Sequence, residues 1–296
     1  MSDRWQQLTV FVRVAESGSF SQTARDLRLS QPSVSRIVTE LEERVGVKLL
    51  IRTTRHLTLT EAGATFLAKA RDVITTIEEA EYAARKTDSL DGVVRLALPT
   101  AYGSRAIMPL LPSFMEAYPN LQVEILMADE RQNLVVDGDD IAIRTGALPD
   151  STFGARRIAS LERMVVASPA YFAKKGTPVT PGALSAHDCI LGYGAFGRGA
   201  WRFKRGNTLI SVDIRSRLTI NSAPGILAAS LQGLGLAIVS DVMSADERAD
   251  NRLVRVLEGY TLEPAAVYAV YTSGPKPSRK VKALIDHLIR GLRPAG

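Results

Sequence analysis

Residues 19–45, SFSQTARDLRLSQPSVSRIVTELEERV, decide how this chain is read. Ser21 to Leu27 predicts a short helix in which Ala24 is small enough for a second helix to cross closely over it. A turn falls at Arg28-Leu29-Ser30. Ser30 is a good N-cap, and Pro32 suits the first helical turn because its missing N–H would have no helical partner there. Val34, Ile37, Val38, Leu41 and Val45 then recur at helical spacing. The opposite face carries Gln31, Ser33, Ser35, Arg36 and Thr39, whose lengths suit base edges and phosphates in a major groove. The stretch predicts a helix-turn-helix. The competing reading is an amphipathic hairpin on the surface with no ligand.

The next residues separate the two. Lys48-Leu49-Leu50-Ile51-Arg52 predicts a strand, Thr53-Thr54-Arg55-His56 a turn, and Leu57-Thr58-Leu59 the return strand. A short hairpin with Lys48, Arg52 and Arg55 around its tip is a wing. It would lie along phosphates while the recognition helix enters the groove, with the Thr53 and Thr54 hydroxyls as further backbone donors.

From Phe11 to Gly63 the order FVRVAESGSFSQTARDLRLSQPSVSRIVTELEERVGVKLLIRTTRHLTLTEAG resembles the N-terminal domain of the LysR-type transcriptional regulators. The run Gln31-Pro32-Ser33-Val34-Ser35-Arg36 and the Leu-Thr-Glu-Ala-Gly segment after the wing carry the match. The resemblance implies that Ser21, Gln22, Ser30, Gln31, Pro32, Ser33, Ser35, Arg36, Thr39, Arg52, Thr53 and Arg55 face double-stranded DNA. Two departures stand out. Arg28 and Leu29 replace a short polar or small pair, and Leu50-Ile51-Arg52 stands where the family often has Leu-Phe-Arg.

Composition agrees. The chain has 296 residues, enough for two or three domains with proper cores. Its net charge of +6 permits nucleic-acid binding without requiring it. Residues 1–60 hold nine Arg or Lys against six Asp or Glu, so placement on helix and wing matters more than the sum. The single cysteine, Cys189, rules out an internal disulfide and suits a reducing cytoplasm. The start MSDRWQQLTVF lacks a signal-peptide pattern, and no apolar run approaches the roughly 18 residues of a membrane span. A soluble, cytoplasmic protein without membrane contact is expected.

Thr60 should cap a long helix running to about Leu90. Phe66, Ala70, Val73, Ile77, Ala80 and Ala84 recur along it at spacings of four and three, a heptad seam widened by Leu67 and Ile74. Its other face is charged. The expected cover for the seam is the same helix of a second subunit; the alternative is the chain's own DNA-binding domain. A dimer would space two recognition helices by about one helical turn for an inverted repeat.

After Asp91-Gly92 strands alternate with helices, which predicts a parallel sheet with crossover helices. Strands are expected at 93–98, 123–127, 141–144, 163–167, 190–193, 236–239 and 267–271, with a β-rich stretch at 201–214. Helices are expected at 104–118, 131–136, 170–174, 223–232 and 279–292. This half resembles the LysR-type effector domain, a two-lobed α/β fold like the type 2 periplasmic binding proteins. Asp139-Asp140-Ile141-Ala142-Ile143-Arg144-Thr145-Gly146, Ala167-Ser168-Pro169-Ala170-Tyr171, His187-Asp188-Cys189, Trp201-Arg202-Phe203 and Gly233-Leu234-Gly235-Leu236-Ala237 carry that match. The expected organisation is a winged helix-turn-helix over 1–60, a linker and dimerisation helix over 61–90, and an effector domain over 91–296. Lobe I would take about 91–165 and 266–296, and lobe II about 166–265. The partners that the resemblance implies are double-stranded DNA, a small-molecule effector, further copies of the chain as homodimer or homotetramer, and RNA polymerase.

Ligands of open α/β sheets bind at the carboxyl ends of strands, where helix N-termini offer free N–H groups. The corresponding residues are Thr100, Tyr102 and Ser104, then Arg144 and Thr145, and in the second lobe Tyr193, Asn221 and Ser222. Thr100, Ser104 and Arg144 supply donors without a matching acidic set, which favours a small anionic or polar effector. Thr100 and Ser222 could instead be helix caps, and Arg144 could pair with a carboxylate.

No catalytic constellation emerges. His187-Asp188-Cys189 are adjacent on a strand start, whereas a nucleophile and its base normally come from separate segments. The three histidines, 56, 187 and 287, have no metal-site spacing. Gly233-Leu234-Gly235 precedes a strand rather than opening a helix, so it is a turn and not a phosphate loop. No cofactor is expected. A ligand-responsive transcription factor and a solute-binding module with an added helical domain remain, and the wing favours the first.

Overall fold

The computed structural model describes residues 3–52, 57–85, 90–129, 139–148, 153–192, 199–271 and 277–292. The N-terminal unit consists of α1 (Arg4–Ser17), α2 (Phe20–Asp26), α3 (Gln31–Val45), a hairpin of β1 (Leu50–Arg52) and β2 (Leu57–Leu59), and the long α4 (Glu61–Arg85). Side chains start the helices where the sequence predicts. The Ser19 hydroxyl accepts from the Gln22 N–H and the Ser30 hydroxyl from the Ser33 N–H, both at 3.2 Å. Between α2 and α3 the Leu29 N–H bonds back to the Ala24 carbonyl at 2.9 Å, and Arg28 takes a left-handed φ of 53°. Phe11, Val34, Leu41, Leu49 and Leu67 are fully buried where the three helices, wing and linker helix converge.

Two five-stranded sheets make up the rest. The first contains β3 (Gly92–Leu98), β4 (Leu121–Met127), β5 (Ile141–Thr145), β6 (Gly154–Leu161) and β15 (Ala265–Tyr271), in the order β4-β3-β5-β15-β6. The second contains β7 (Arg163–Ala167), β8 (Cys189–Gly192), β11 (Ser216–Ile220), β12 (Leu236–Ser240) and β13 (Val254–Val256), in the order β11-β8-β12-β7-β13. A smaller sheet of β9 (Ala200–Arg205), β10 (Thr208–Asp213) and β14 (Thr261–Leu262) drives Trp201 and Phe203 into the second core.

Four features differ from the sequence reading. The sheets are mixed rather than parallel: β15 runs antiparallel to both β5 and β6, and β7 antiparallel to β12 and β13. The cause is topological. The chain leaves the first sheet on β6, which still runs with β5, enters the second sheet on β7 and returns to the first on β15, so the arriving strands β7 and β15 are the two that run against their neighbours. The passage outward lies between Leu161 and Arg163, and the return between Leu262 and Ala265, a few residues before the expected positions. Several elements also go unread in the sequence: β6, β11, and the helix Asp241–Ala249, which is capped by the Ser240 hydroxyl. The expected helix at 131–136 lies outside the described residues. The one expected at 104–118 starts earlier, at Thr100, and runs through a π turn (Gly103–Ile107) to Ala117.

Candidate DNA interface and effector cleft

Helix α3 buries Val34, Ile37, Val38 and Leu41 and leaves Gln31, Pro32 and Arg36 exposed, with Ser33, Ser35 and Thr39 half-buried beside them. Ser30 and Ser33 join hydroxyl to hydroxyl at 2.8 Å, and the Thr39 hydroxyl donates to the Ser35 carbonyl at 3.0 Å. Among the described residues Arg36 has a long 4.0 Å contact with Glu40 and is 69 % exposed, so its guanidinium is open to a partner. Gln22 is already engaged on α2, donating to Asp26 at 2.7 Å and accepting from Arg25 at 2.5 Å. Ser21 is half-buried on the same helix. Arg52 ends β1, while Thr53 and Arg55 lie outside the described residues.

The wing is held by a residue that sequence reasoning passed over. Glu42, on the buried side of α3, accepts from the Leu49 and Leu50 N–H groups at 2.9 and 3.0 Å and from the Lys48 ammonium at 2.7 Å. Burial alone would raise its pKa, but these hydrogen bonds and the Lys48 charge outweigh it and hold the carboxyl below its usual value. From the other side Thr60 donates to the Lys48 carbonyl at 2.8 Å and caps α4 through the Gly63 N–H at 2.8 Å. Gly63 sits so close that a Cβ there would fall 2.0 Å from the Leu49 carbonyl oxygen. The quoted Leu-Thr-Glu-Ala-Gly segment holds both residues.

The expected dimer seam divides. Ala70 is buried within the chain's own N-terminal core, and Phe66 packs edge-on against Phe11 of α1 with ring centroids 5.4 Å apart. Their assignment to a seam is corrected to this intramolecular packing, although one flank of Phe66 lines an open groove. The groove, about 530 Å³, runs between Val45, Val47, Leu49, Ala62 and Phe66. Farther along, Val73 is 44 % exposed and Ile77 37 %, and Ala80 is exposed as well. Ala84 belongs to α4, but its side chain lies outside those described.

Glu16, at the end of α1, joins three parts of the chain. It receives Arg71 of α4 at 3.1 Å, Arg95 of β3 at 3.6 Å and Arg13 at 3.7 Å. Arg95 in turn pairs with Glu124 at 2.8 Å. Burial works against the Arg95 charge, yet Glu16, Glu124 and Asp140 together raise its pKa.

In the effector half, the strand ends place the expected residues unequally. The Thr100 N–H donates to Asp129 at 2.9 Å, and the Ser222 hydroxyl, from the other lobe, donates to the same carboxylate at 2.6 Å. Ser222 holds the N-cap position of helix Ala223–Leu231 yet makes no side-chain cap bond, its hydroxyl being turned to Asp129. An acidic partner for the expected donors is therefore present, contrary to the sequence reading. Arg144 and Thr145 end β5, half-buried, opposite Tyr268 and Val267. Ser104 bonds back to the Thr100 carbonyl at 2.9 Å, Asn221 is exposed, and Tyr193 lies outside the described residues. Tyr102 is a correction. It is 6 % exposed in the first core, its hydroxyl without a partner among the described residues, and burial together with the Asp241 charge pushes its pKa up.

Arg105 forms a second link between the lobes, gripping Glu247 with bonds of 2.9 and 2.6 Å and reaching Asp246 at 3.4 Å. The His187-Asp188-Cys189 run is structural. The His187 ring meets the Tyr171 hydroxyl at 3.1 Å, which also accepts from the Asp188 N–H, and burial pushes the Cys189 thiol up to about 12. Gly235 ends its turn against Asp188, whose carbonyl a Cβ would meet at 2.6 Å.

Residues 5–64 match the family described as bacterial regulatory helix-turn-helix protein, lysR family, and residues 87–293 match the LysR substrate binding domain. A transcriptional regulator of Xanthomonas campestris pv. campestris is 35 % identical over 96 % of this chain and 84 % of its own length. The regulator CrgA of Neisseria meningitidis serogroup C is 34 % identical over 99 % of this chain and 98 % of its own. Among solved structures, full-length AphB, the Vibrio cholerae virulence activator, aligns with a TM-score of 0.60 and 26 % identity. It covers 98 % of this chain and 100 % of that one. The solved structure of Neisseria meningitidis CrgA gives 0.58 and 32 %, covering 99 % of each chain.

Proposed function

The chain belongs to the LysR-type transcriptional regulators, and from that premise we propose that a small-molecule effector between its two lobes modulates operator binding. Members of this family are regulators, not enzymes. The observation that supports the effector reading best is the meeting of Thr100, Asp129 and Ser222 at strand ends of both lobes. A ligand entering there changes the contacts of two sheets at once, which is what a two-state lobe movement needs. Glu16 offers a route onward, because it ties β3 of the first sheet to α1 and α4 through Arg95 and Arg71. Thr100→Val keeps the shape and the backbone N–H but removes a hydroxyl at the cleft. The variant should bind operator normally yet need roughly tenfold more effector, from an unmet hydrogen bond of about 1–3 kcal/mol. Equal effector response in both proteins would place the pocket elsewhere.

On the DNA side, Gln31, Ser33, Ser35 and Arg36 face the major groove in this reading. Arg36→Ala should lose about 1–3 kcal/mol of operator affinity if the guanidinium reads a base. Arg52→Ala and Arg55→Ala should weaken all sequences alike and flatten the salt dependence, as phosphate contacts do. Unchanged affinity and salt slope in Arg36→Ala removes that residue from the interface.

The exposed Val73, Ile77 and Ala80, in line with the apolar groove beside Phe66, suit a second copy of α4. A dimer built there presents two α3 helices to an inverted repeat. Val73→Asp combined with Ile77→Asp would bury unpaired carboxylates at several kcal/mol, enough to dissociate the dimer at micromolar concentration. Light scattering of the double variant measures this directly, and an intact dimer would move the interface off this stripe.

A further inference from the structure

We propose that Asp129 is a tethered occupant of the cleft: its carboxylate latches the two lobes together, and the effector acts by displacing it with a carboxylate or similar oxyanion of its own. The inference rests on reading the cleft as the effector site, but its test needs no effector. Asp129 follows β4 of the first sheet, with Oδ1 accepting from the Thr100 N–H at 2.9 Å and Oδ2 from the Ser222 hydroxyl at 2.6 Å. One donor belongs to each lobe, so a single carboxylate spans the boundary, and both bonds have charge-assisted lengths. Ser222 gives up the capping bond its position would normally make in order to reach Asp129.

The same boundary has a second joint and an unmet demand. Arg105 holds Glu247 and Asp246 on helix Asp241–Ala249, whose first N–H is fixed to the Glu162 carbonyl at the crossover between lobes. Close by, the Tyr102 hydroxyl and Asp241 Oδ1 are buried without hydrogen-bond partners among the described residues, one from each lobe. The Arg105 joint lies beside the crossover and can act as the pivot, so the Asp129 clasp is the link that opening must break. A tethered carboxylate competes at an effective concentration in the millimolar range. A bare small anion below that concentration therefore does not evict it, and the effector must add contacts of its own to the carboxylate. Chemistry supplied by the chain thus sets both the class of ligand and the threshold for response.

The experiment measures the distance between spin labels at Glu116→Cys and Ala186→Cys, both exposed positions, in the full-length protein. The native Cys189 is buried. Asp129→Ala should lengthen and broaden this distance by several ångström, and sodium formate should restore it saturably. Formate should act in the millimolar range or weaker, as a three-atom ligand allows. Sodium chloride at equal ionic strength should do nothing, and the unsubstituted Asp129 background should ignore formate. Asp129→Asn can accept only one of the two bonds, so it should open partly and, with its amide filling the site, resist formate. Ser222→Ala should open partly as well. These two carry the test should Asp129→Ala fail to give a native circular dichroism spectrum. An unchanged distance in the folded variants overturns the latch. Opening that formate does not reverse overturns the oxyanion site. Either result leaves the Thr100→Val test of the effector cleft standing.

Discussion

Gly63→Ala should destabilise the DNA-binding domain by about 3 kcal/mol or more and abolish operator binding, while the effector domain stays folded. A Cβ at this position falls 2.0 Å from the Leu49 carbonyl oxygen and 2.9 Å from its carbon. Both are backbone atoms, so no side-chain rotation relieves the clash. Nor can the strand retreat. The Leu49 carbonyl accepts from the Thr60 N–H at 3.0 Å, and the Leu49 N–H is held by Glu42 at 2.9 Å on the other side. The helix must therefore pull away from the wing, taking Leu67 out of the core that it shares with α3. The two tryptophans, Trp5 and Trp201, fall in different domains, so fluorescence of a Trp201→Phe protein follows the N-terminal unit alone in denaturant. Gly182→Ala, where a Cβ meets nothing within 4 Å, is the control and should melt like the parent. An unshifted midpoint for Gly63→Ala would show that this joint is looser than its geometry.

Local physics explains which parts of this molecule can be read from its sequence. The helix-turn-helix is legible because its signals are short-range: Ser30 caps three residues away, Pro32 sits where a missing N–H costs nothing, and the apolar spacing of Val34 to Leu41 needs no partner to be recognised. The dimer stripe is half legible. Periodicity says that one face of α4 must be covered but not by what, and α1 of the same chain covers Ala70 and much of Phe66. The alternation of strands and helices reveals an α/β domain but hides β6 and β11, whose exposed arginines and serines look like loop. Glu16, Glu42 and Asp129 have no pattern at all. Glu16 meets Arg71 from 55 positions away, and Asp129 meets Thr100 and Ser222 from 29 and 93. Such contacts exist only once the topology has closed, and those of Glu16 and Asp129 are the ones that join domains. Tyr102 shows the opposite error: a polar residue at a strand end that the fold draws into the core.

Glu42→Ala is expected to cost about 3–5 kcal/mol, because it strands donors that nothing else can satisfy. Its Oε1 takes the N–H groups of both Leu49 and Leu50, and the two leucines are themselves buried, so water cannot replace the carboxylate there. The Lys48 contact on Oε2 matters less. That ammonium is 71 % exposed, and a screened surface pair adds little. Glu42→Gln separates the two contributions. Its amide oxygen can still accept from both backbone donors while its NH₂ faces Lys48 with nothing to offer, so the loss should be about 1 kcal/mol. The two variants should also differ from the parent in their response to acid. The folded pKa of Glu42 lies below the ordinary 4.5, so the stability it contributes is complete above that value and is lost as pH falls through the folded value. Denaturant midpoints of the N-terminal unit, followed through Trp5 between pH 7 and 3, should therefore drop more steeply in the parent than in Glu42→Gln. Parallel curves would mean that the carboxylate acts only as a shape. Steeper loss in the parent would establish that the charge of Glu42, placed by α3, itself holds the wing to the domain.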